Sequence, residues 1–236
     1  MNIALIGFGK MGHEIDSIAR EQGDTIVRVF DSRHAVRPEA LAGVDICFEF
    51  STPEAVVSNI RAAIEAQRDI VVGTTGWHQH LPEFRGTVKE SGLLYSANFS
   101  LGMNFFFRIV RRAAELMNGA AEYDPYVHEI HHRQKVDSPS GTALTLAQIL
   151  VDRIARKDEI LTRPPEGRIG PETLHVTSTR AGFVAGTHMI GFDSDADLIE
   201  LKHVAKNRRG FALGALKAAR WLRGRKGVYT MDDVDL

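Results

Sequence analysis

The stretch HEIHHRQKVDSPSGTA, which begins at His128, concentrates groups that can bind anions and transfer protons. Three of the chain's ten histidines, His128, His131 and His132, fall within five positions, and Arg133 and Lys135 follow. Such a set of imidazole, guanidinium and ammonium groups suits a metal site, a solvated basic surface, or a site that neutralises an anion and donates a proton. The neighbouring sequence helps to choose among the three.

A metal site is the interpretation that the sequence favours least. On a helix the three histidines would share one face, but this segment alternates like a strand and follows Pro125. On a strand, His131 and His132 point to opposite faces. The adjacent cations would also repel a metal ion, so we expect no bound metal.

An anionic substrate fits the same residues better. Ser140, Gly141 and Thr142 follow Pro139 at a predicted helix start, where a hydroxyl and free backbone amides can hold a carboxylate. Lys135 and a histidine can complete the charge neutralisation and donate protons. A solvated basic edge remains the alternative from these residues alone.

A glycine-rich loop near the amino terminus predicts a dinucleotide site. The pattern G-x-G-x-x-G follows a predicted strand and opens a helix, the context in which backbone can approach a pyrophosphate. Asp31 ends the second predicted strand, where its carboxylate can accept hydrogen bonds from ribose hydroxyls. The alternative is a tight turn with a surface aspartate. The loop residues are Gly7, Phe8, Gly9, Lys10, Met11 and Gly12.

Two further stretches, GTTG and SANFS, fall at the carboxyl ends of predicted strands. Small residues and an amide there suit close approach of a nicotinamide, although either stretch could be an ordinary loop. The candidate residues are Gly73, Thr74, Thr75, Ser96, Ala97, Asn98 and Phe99.

The first hundred residues alternate short β-rich runs with helical patterns. Strands that are apolar on both faces and alternate with helices predict a parallel, doubly wound sheet. One helix is expected from Pro53 to Gln67, capped by Ser51 or Thr52. The predicted strands cover residues 2–9, 25–31, 44–50, 69–75 and 93–98.

The regular alternation of strands and helices ends after residue 100, and the order of elements that follows predicts a second, α+β domain. Helices are expected at 104–117 and 142–157, with a strand at YDPYVHEIHHR between them and a loop at 163–172. LHVTSTRAG, GTHMIGFD and DLIELKHVA are expected to form three successive antiparallel strands before a last helix at 209–224.

Composition limits the class of protein. With 236 residues and 44% hydrophobic content, the chain can bury one large core or two modest ones. A net charge of −1 predicts no recruitment of nucleic acid or anionic membrane, and the longest apolar runs are too short to span a bilayer. The amino terminus enters a strand directly, without a signal-peptide pattern, so we expect a cytoplasmic protein. Cys47, the one cysteine, is expected to be a small buried hydrophobe.

The segment EIHHRQKVDSPSGTAL resembles the signature of the 4-hydroxy-tetrahydrodipicolinate reductase (dihydrodipicolinate reductase) family, which serves diaminopimelate and lysine biosynthesis. GFGKMG, EFSTPEA, GTTGW, SANFSLGMN, STRAGFVAGTH and GALKAARWL resemble that family in the same order, so the likeness covers nearly the whole chain. It implies a Rossmann domain formed by residues 1–102 with 209–236, and a domain at 103–208 that binds a dicarboxylate substrate and assembles a homotetramer.

The resemblance also implies roles for individual residues. His131 corresponds to the general acid, Lys135 to a second proton donor and His132 to a substrate ligand. The amides of Gly141 and Thr142 correspond to the ligands of the substrate carboxylate. The glycine loop, Asp31 and the two small-residue stretches correspond to cofactor contacts, and the cofactor would be NADH or NADPH.

The adenosine side of the cofactor site is where the chain departs from the family. Longer members carry an extra segment after the second strand, whereas only SRHAVRPEALAG separates Asp31 from the next strand here. The Asp31 carboxylate would repel a 2′-phosphate, while Lys10, Arg33 and His34 could pair with it. We therefore expect both cofactors to be used, with NADH modestly preferred and Arg33 among the cofactor contacts.

Two other functions stay open at this point. A different two-domain reductase of a small anionic substrate would not require the cationic cluster to end in a Pro-Ser-Gly-Thr helix start. A non-catalytic NAD(P)-binding sensor would leave the proton-donor cluster without a purpose. Turnover with an authentic substrate separates these possibilities.

Overall fold

The computed structural model describes residues 1–236 and places them in two sheets, each belonging to its own unit. The first unit comprises Met1–Leu101 and Arg208–Leu236, and the second comprises Gly102–Asn207. The second unit is therefore inserted in the sequence of the first.

The elements are numbered in chain order. The strands are β1 (Asn2–Ile6), β2 (Thr25–Phe30), β3 (Ile46–Glu49), β4 (Asp69–Val72), β5 (Gly92–Tyr95), β6 (Asp124–His131), β7 (Glu159–Leu161), β8 (Thr173–Arg180), β9 (Thr187–Asp193), β10 (Leu198–Val204) and β11 (Gly227–Thr230). The helices are α1 (Lys10–Glu21), α2 (Val56–Glu65), α3 (Leu81–Thr87), α4 (Leu101–Met117), α5 (Gly141–Arg153) and α6 (Arg209–Leu222).

The first unit is built on a parallel sheet in the order β11-β5-β4-β3-β1-β2. Strand β1 is apolar on both faces because each face is covered. Ile3 and Leu5 belong to a core that includes residues of α1 and α6, whereas Ala4 and Ile6 belong to a core that includes residues of α2 and α3. The prediction of a doubly wound α/β fold is confirmed.

Two local predictions in this unit were wrong or incomplete. The helix expected from Pro53 begins at Val56, because the carbonyl of Thr52 accepts the amides of Ala55 and Val56 in a preceding turn. Strand β11 was not predicted, although it pairs in parallel with β5. Its four residues carry no alternation long enough to distinguish a strand from a tail.

The second unit is built on a mixed sheet in the order β10-β9-β6-β8-β7. The expectation of three successive antiparallel strands was wrong for the first of them. Of the three strands, only β9 and β10 are antiparallel neighbours. Strand β8 lies on the far side of β6 and runs parallel to it. Alternating side chains do not reveal strand direction, and α5 supplies the crossover that a parallel pair requires.

The two faces of this sheet have different surroundings. Val127, Glu129 and His131 of β6 are buried, and Val127 joins the core shared with α4 and α5. The alternate residues Tyr126 and Ile130 are half-buried on the opposite face. One face therefore carries both the hydrophobic core and the proposed proton donor.

Cys47 is buried and free, as expected for a small hydrophobe. Burial raises the pKa of its thiol to about 12, so it is not a nucleophile at neutral pH. None of the helices combines the length and the apolar character needed to cross a membrane.

Candidate active site

The glycine loop joins β1 to α1 in the first unit, and two of its glycines are required by close contacts. Gly7 has φ +91°, and a Cβ there would lie 2.3 Å from the carbonyl oxygen of Phe50. A Cβ on Gly12 would lie 2.4 Å from the carbonyl oxygen of Gly7. Nothing lies within 4 Å of the corresponding position on Gly9, the residue that precedes α1 without a side-chain cap. The loop thus leaves open space beside amide groups at a helix start, as a pyrophosphate requires.

A cleft of about 840 Å³ lies beside this loop. Its walls include Gly7, Phe8 and Gly9, the segment from Asp31 to Val36, and Asn59 of α2. The predicted loop and acid are therefore brought together in one cavity. Lys10, Met11 and Gly12 continue into the first turn of α1.

Asp31 follows β2 and is engaged by its own neighbours. Its Oδ2 accepts from Arg33 Nε at 3.1 Å and Nη2 at 2.7 Å, and its Oδ1 accepts from the Arg33 amide at 2.9 Å. His34 Nδ1 lies 2.8 Å from Oδ1. The Arg33 side chain, then its amide, and His34 hold the pKa of Asp31 below its usual range. Both Asp31 oxygens are thus engaged by Arg33 and His34, the two residues that were expected to pair with a 2′-phosphate in its place.

The two small-residue stretches lie at the carboxyl ends of β4 and β5, as predicted. The Gly73 amide donates to the Glu49 carbonyl at 2.8 Å, and the Phe50 ring fills the space where a Cβ on Gly73 would stand. Thr74 accepts at its carbonyl from the Trp77 indole, and Thr75 follows it in the same loop.

The SANF stretch is ordered by its own side chains. Ser96 Oγ accepts from the Asn98 amide at 3.1 Å, and Asn98 Oδ1 accepts from the Ser100 amide at 2.9 Å. Ala97 is exposed, whereas Phe99 is 2% exposed and belongs to the hydrophobic core. The packing of Phe99 was not evident from the sequence.

In the second unit, His131 is the last residue of β6 and Glu129 lies two positions before it on the same face. Glu129 is fully buried, and its Oε2 lies 3.1 Å from His131 Nδ1. Its Oε1 accepts from Arg180 Nη2 and from the Ser140 amide, each at 2.8 Å. Burial alone would raise the pKa of Glu129, but His131, Ser140 and Arg180 together hold it below its usual range. The structure therefore places an ionised carboxylate behind the predicted general acid.

Ser140 does not present free groups to a ligand. Its amide and hydroxyl both donate to Glu129, and its Oγ also accepts from the Ala143 amide as the N-cap of α5. The expectation that Ser140 binds substrate is therefore not supported by its contacts. Gly141 is exposed with open space around it, and Thr142 is half-buried beside it.

His132 and Lys135 follow β6 in the segment that leads to α5. The His132 amide donates to the Val184 carbonyl at 2.8 Å, while its Nδ1 is buried without a hydrogen-bond partner. Lys135 Nζ lies 2.7 Å from Asp137 Oδ1. Lys135, and to a smaller degree the Gly141 amide, hold the pKa of Asp137 below its usual range. Asp137 thus engages two of the groups that were expected to bind a substrate carboxylate.

His188 of β9 completes the buried cluster and was not predicted from the sequence. Its Nε2 lies 3.6 Å from Glu129 Oε2 and 3.3 Å from Ser140 Oγ. Burial, followed by the charge of His131, lowers the pKa of His188 to about 4, so it is neutral at pH 7. The alternation of GTHMIGFD placed His188 on the buried face, but only the pairing of β9 with β6 brings it to Glu129.

Glu129, His131 and His188 offer three ligand atoms within 4.8 Å of one another, the separation needed around a metal ion. The guanidinium of Arg180 lies on the same carboxylate and opposes a second cation there. His128, considered for a metal site from its sequence spacing, lies on the other face, with Nδ1 2.7 Å from Thr177 Oγ1. The donor set suits proton transfer and anion binding better than metal binding.

Comparison with known proteins confirms the family resemblance along nearly the whole chain. The family model described as "Dihydrodipicolinate reductase, N-terminus" matches residues 1–99, and the one described as "Dihydrodipicolinate reductase, C-terminus" matches residues 102–234. A 4-hydroxy-tetrahydrodipicolinate reductase of Christiangramia forsetii is 38% identical over 99% of this chain and 97% of its own length. One from Akkermansia muciniphila is 37% identical over 96% and 94%.

Solved structures show the same fold. A dipicolinate-bound dihydrodipicolinate reductase from Paenisporosarcina sp. TG-14 aligns over the full length of both chains, with a TM-score of 0.72 and 22% identity. An amine dehydrogenase from Mycobacterium smegmatis aligns over 100% of this chain and 96% of its own, with a TM-score of 0.60 and 11% identity. At these identities the likeness supports the two-domain architecture alone.

Proposed function

This chain belongs to the dihydrodipicolinate reductase family of NAD(P)H-dependent oxidoreductases, and from that premise we propose that it reduces 4-hydroxy-tetrahydrodipicolinate to tetrahydrodipicolinate with loss of water. The reaction belongs to diaminopimelate and lysine biosynthesis, and we place it in the cytoplasm. The observation that carries the proposal is the group of donors at the end of β6. His131 contacts Glu129, which also accepts from the amide of Ser140 at the N-cap of α5. Lys135 contacts Asp137, whose carboxylate is also near the Gly141 amide at the start of α5.

The first unit has the features that a dinucleotide needs. Gly9 leaves room at the start of α1, and the cleft beside it is large enough for an adenosine group. We propose that the glycine loop binds the pyrophosphate and that Asp31 or Arg33 contacts the adenosine ribose. Residues 73–75 and 96–99 would contact the nicotinamide. When bound, the cofactor supplies a hydride.

The second unit supplies charge neutralisation and a proton. We propose that the Gly141 and Thr142 amides and Lys135 hold one substrate carboxylate, with His132 as a further ligand. His131, as imidazolium, then gives a proton to the ring carbon that becomes electron-rich when the neighbouring position accepts hydride. Lys135 is a second donor. The chain thereby orients the ring and balances its negative charge.

A steady-state assay tests the proposal directly. Substrate generated enzymatically in the same mixture, with NADH or NADPH, should give turnover that consumes one reduced cofactor per product. His131→Gln should lower kcat by about 10²–10⁴-fold while the Kd for NADH stays near the wild-type value. Cofactor binding without turnover in the wild type would instead support a sensor, and turnover of an unrelated keto acid would support another reductase.

We further propose that the protein is a homotetramer, because one face of the second sheet has no helix to cover it. Met189 and Ile130 on that face are half-buried, and Val204 is 53% exposed. A sheet face left open in this way offers a surface that further copies of the chain can cover. Light scattering should give four times the chain mass of 26.1 kDa.

Met189→Glu should dissociate the tetramer, because it places a charge within this face. Leu116→Glu offers a matched control, since Leu116 is 63% exposed on α4 and lies off the sheet. A wild-type protein that remains an active monomer at micromolar concentration would contradict the assembly.

A further inference from the structure

The buried carboxylate of Glu129 makes more polar contacts than any proton-transfer residue around it. Its side chain has no solvent exposure, and its oxygens engage Ser140, Ser178 and Arg180 as well as His131. A buried charge with this many donors is held in one position. It therefore also fixes the position of His131, which contacts Oε2.

Two imidazoles lie near the Glu129 carboxylate, and they differ in distance and in charge. His188 is also close, but it is neutral at pH 7 because burial and His131 lower its pKa to about 4. Arg180 lies on Oε1, away from the 3.1 Å approach of His131 Nδ1 to Oε2. Of the two histidines in the cluster, His131 thus has the shorter contact with the carboxylate, at 3.1 Å against 3.6 Å for His188.

The opposite nitrogen of His131 faces a glycine. A Cβ on Gly186 would lie 3.0 Å from His131 Nε2, so a side chain at this position would stand against that nitrogen. With Nδ1 directed to Glu129, Nε2 is the atom left to meet a substrate. The two contacts together determine which nitrogen can deliver the proton.

We propose that Glu129 is a positioning residue for proton transfer, which holds His131 through Nδ1, stabilises its imidazolium form and leaves the Nε2 proton for the substrate. The inference deepens the proposed function and rests on it. When the Nε2–H bond breaks and the proton moves to the substrate carbon, His131 is left neutral with its proton on Nδ1. The Glu129 carboxylate lies 3.1 Å from that Nδ1 without an aligned hydrogen bond in the structure, and its negative charge stabilises the imidazolium before the proton leaves.

The first test is Glu129→Gln, which keeps the shape of the side chain and removes its charge. We expect kcat to fall by about 10–10²-fold, with the Ki for pyridine-2,6-dicarboxylate and the Kd for NADH close to wild type. Ser178→Ala is the matched comparison: it removes one 2.9 Å hydrogen bond to the same carboxylate but leaves the charge and the His131 contact, so kcat should fall by much less. An equal loss in both variants would show that Glu129 supports only the local structure.

A double-mutant cycle separates action through His131 from a general defect. In a His131→Gln background, Glu129→Gln should lower kcat by less than about twofold, because the group that it positions is already absent. If the two effects on kcat multiply instead, Glu129 does not act through His131 and the proposal is wrong.

The pH profile of kcat gives a second readout. Loss of the negative charge should move the basic limb of Glu129→Gln to lower pH, since the imidazolium is less stabilised. A limb that stays in place would contradict the proposal. The charged or titratable groups around His131 are Glu129 on its own strand, Arg180 on β8, His188 on β9, and His132 and Lys135 in the segment after β6.

Nitrogen-15 NMR of the wild-type protein tests the geometry without any turnover. At alkaline pH, His131 should be the Nδ1–H tautomer, identified by its long-range proton–nitrogen couplings. An Nε2–H tautomer would overturn the inference even if the enzyme is fully active. Conversely, an Nδ1–H tautomer in a protein without reductase activity would locate the failure in the proposed function. The measurement also decides the matter if Glu129→Gln does not fold.

Discussion

Charged side chains in both proposed binding regions are already paired within the chain. Asp31 is engaged by Arg33 and His34, and Lys135 is engaged by Asp137. A ligand must therefore exchange these internal partners for its own groups. The partners are partly exposed, so the exchange costs little.

The exchange of an internal partner for a ligand can be tested at Asp137. Asp137→Asn should lower the Ki for pyridine-2,6-dicarboxylate by about two- to fivefold at low salt, because an exposed ion pair contributes about 0.2–1 kcal/mol. Asp152→Asn on α5 makes the same change in net charge at a residue that pairs with Gln148 instead, so it should have no effect. Weaker inhibition of Asp137→Asn would show that Asp137 helps to build the site.

Asp31 and Arg33 set the choice of cofactor in opposite directions. Asp31→Ala should raise KM for NADH more than for NADPH, because the acceptor for the ribose hydroxyls is lost. Arg33→Ala should do the reverse, because a cation for the 2′-phosphate is lost. The wild type should use both cofactors with a modest preference for NADH. A kcat/KM at least about tenfold higher with NADPH would mean that Arg33 and His34 outweigh Asp31.

The proposed catalytic and binding residues were easier to predict from the sequence than the buried residues that position them. His131, Lys135, the α5 start and the glycine loop were identified because each lies in a short contiguous motif. Glu129 and His188 were not assigned a role, since their meeting depends on a strand pair whose partners lie 57 to 69 residues apart in the chain. Pairing over such distances leaves no local pattern.

At the scale of elements, the fold class followed from alternation, whereas strand direction and ends did not. Strand β8 was expected to be antiparallel to β9, yet it pairs with β6 and β7. The alternation of LHVTSTRAG correctly marks one buried face, but it is the same for either direction. Strand β7, between α5 and β8, was not predicted, because its three residues are too few to show an alternating pattern.

The glycine loop allows packing and binding to be separated by two conservative changes. Gly12→Ala should reduce the free energy of unfolding by about 1–3 kcal/mol, because its methyl group would meet the carbonyl of Gly7. Gly9→Ala has open space and φ −86°, so stability should change little while the Kd for NADH rises. Urea denaturation and fluorescence titration of both variants measure the two effects. The same loss of stability in both would contradict the assigned contacts.

At the scale of the whole molecule, the buried cluster makes stability depend on pH. The pKa of His188 is about 4 in the folded protein and near 6.5 when exposed, so the unfolded chain binds more protons between these values. Stability therefore decreases as pH falls through this window and is unaffected by His188 above it. Glu129, whose folded pKa is also lowered, adds a loss only at more acidic pH.

This dependence can be measured by urea denaturation at pH 7 and pH 5. His188 should contribute a loss of about 2 kcal/mol between the two conditions, because each pH unit in the window corresponds to about 1.4 kcal/mol per group. His188→Gln should remove most of that difference, whatever its effect at pH 7. An unchanged pH dependence in the variant would show that other groups are responsible.

The insertion of the second unit has a consequence for how the protein is made. The core of the first unit includes Ala212, Ala215 and Leu216 of α6, and β11 forms the edge of its sheet. During synthesis, β1 to β5 leave the ribosome more than a hundred residues before these partners. The inserted unit, whose residues are contiguous, can fold first. Until α6 and β11 are synthesised, the apolar surface that they cover on β1 to β5 stays exposed. A chaperone that binds nascent chains is therefore expected to engage residues 1–101 until translation reaches α6.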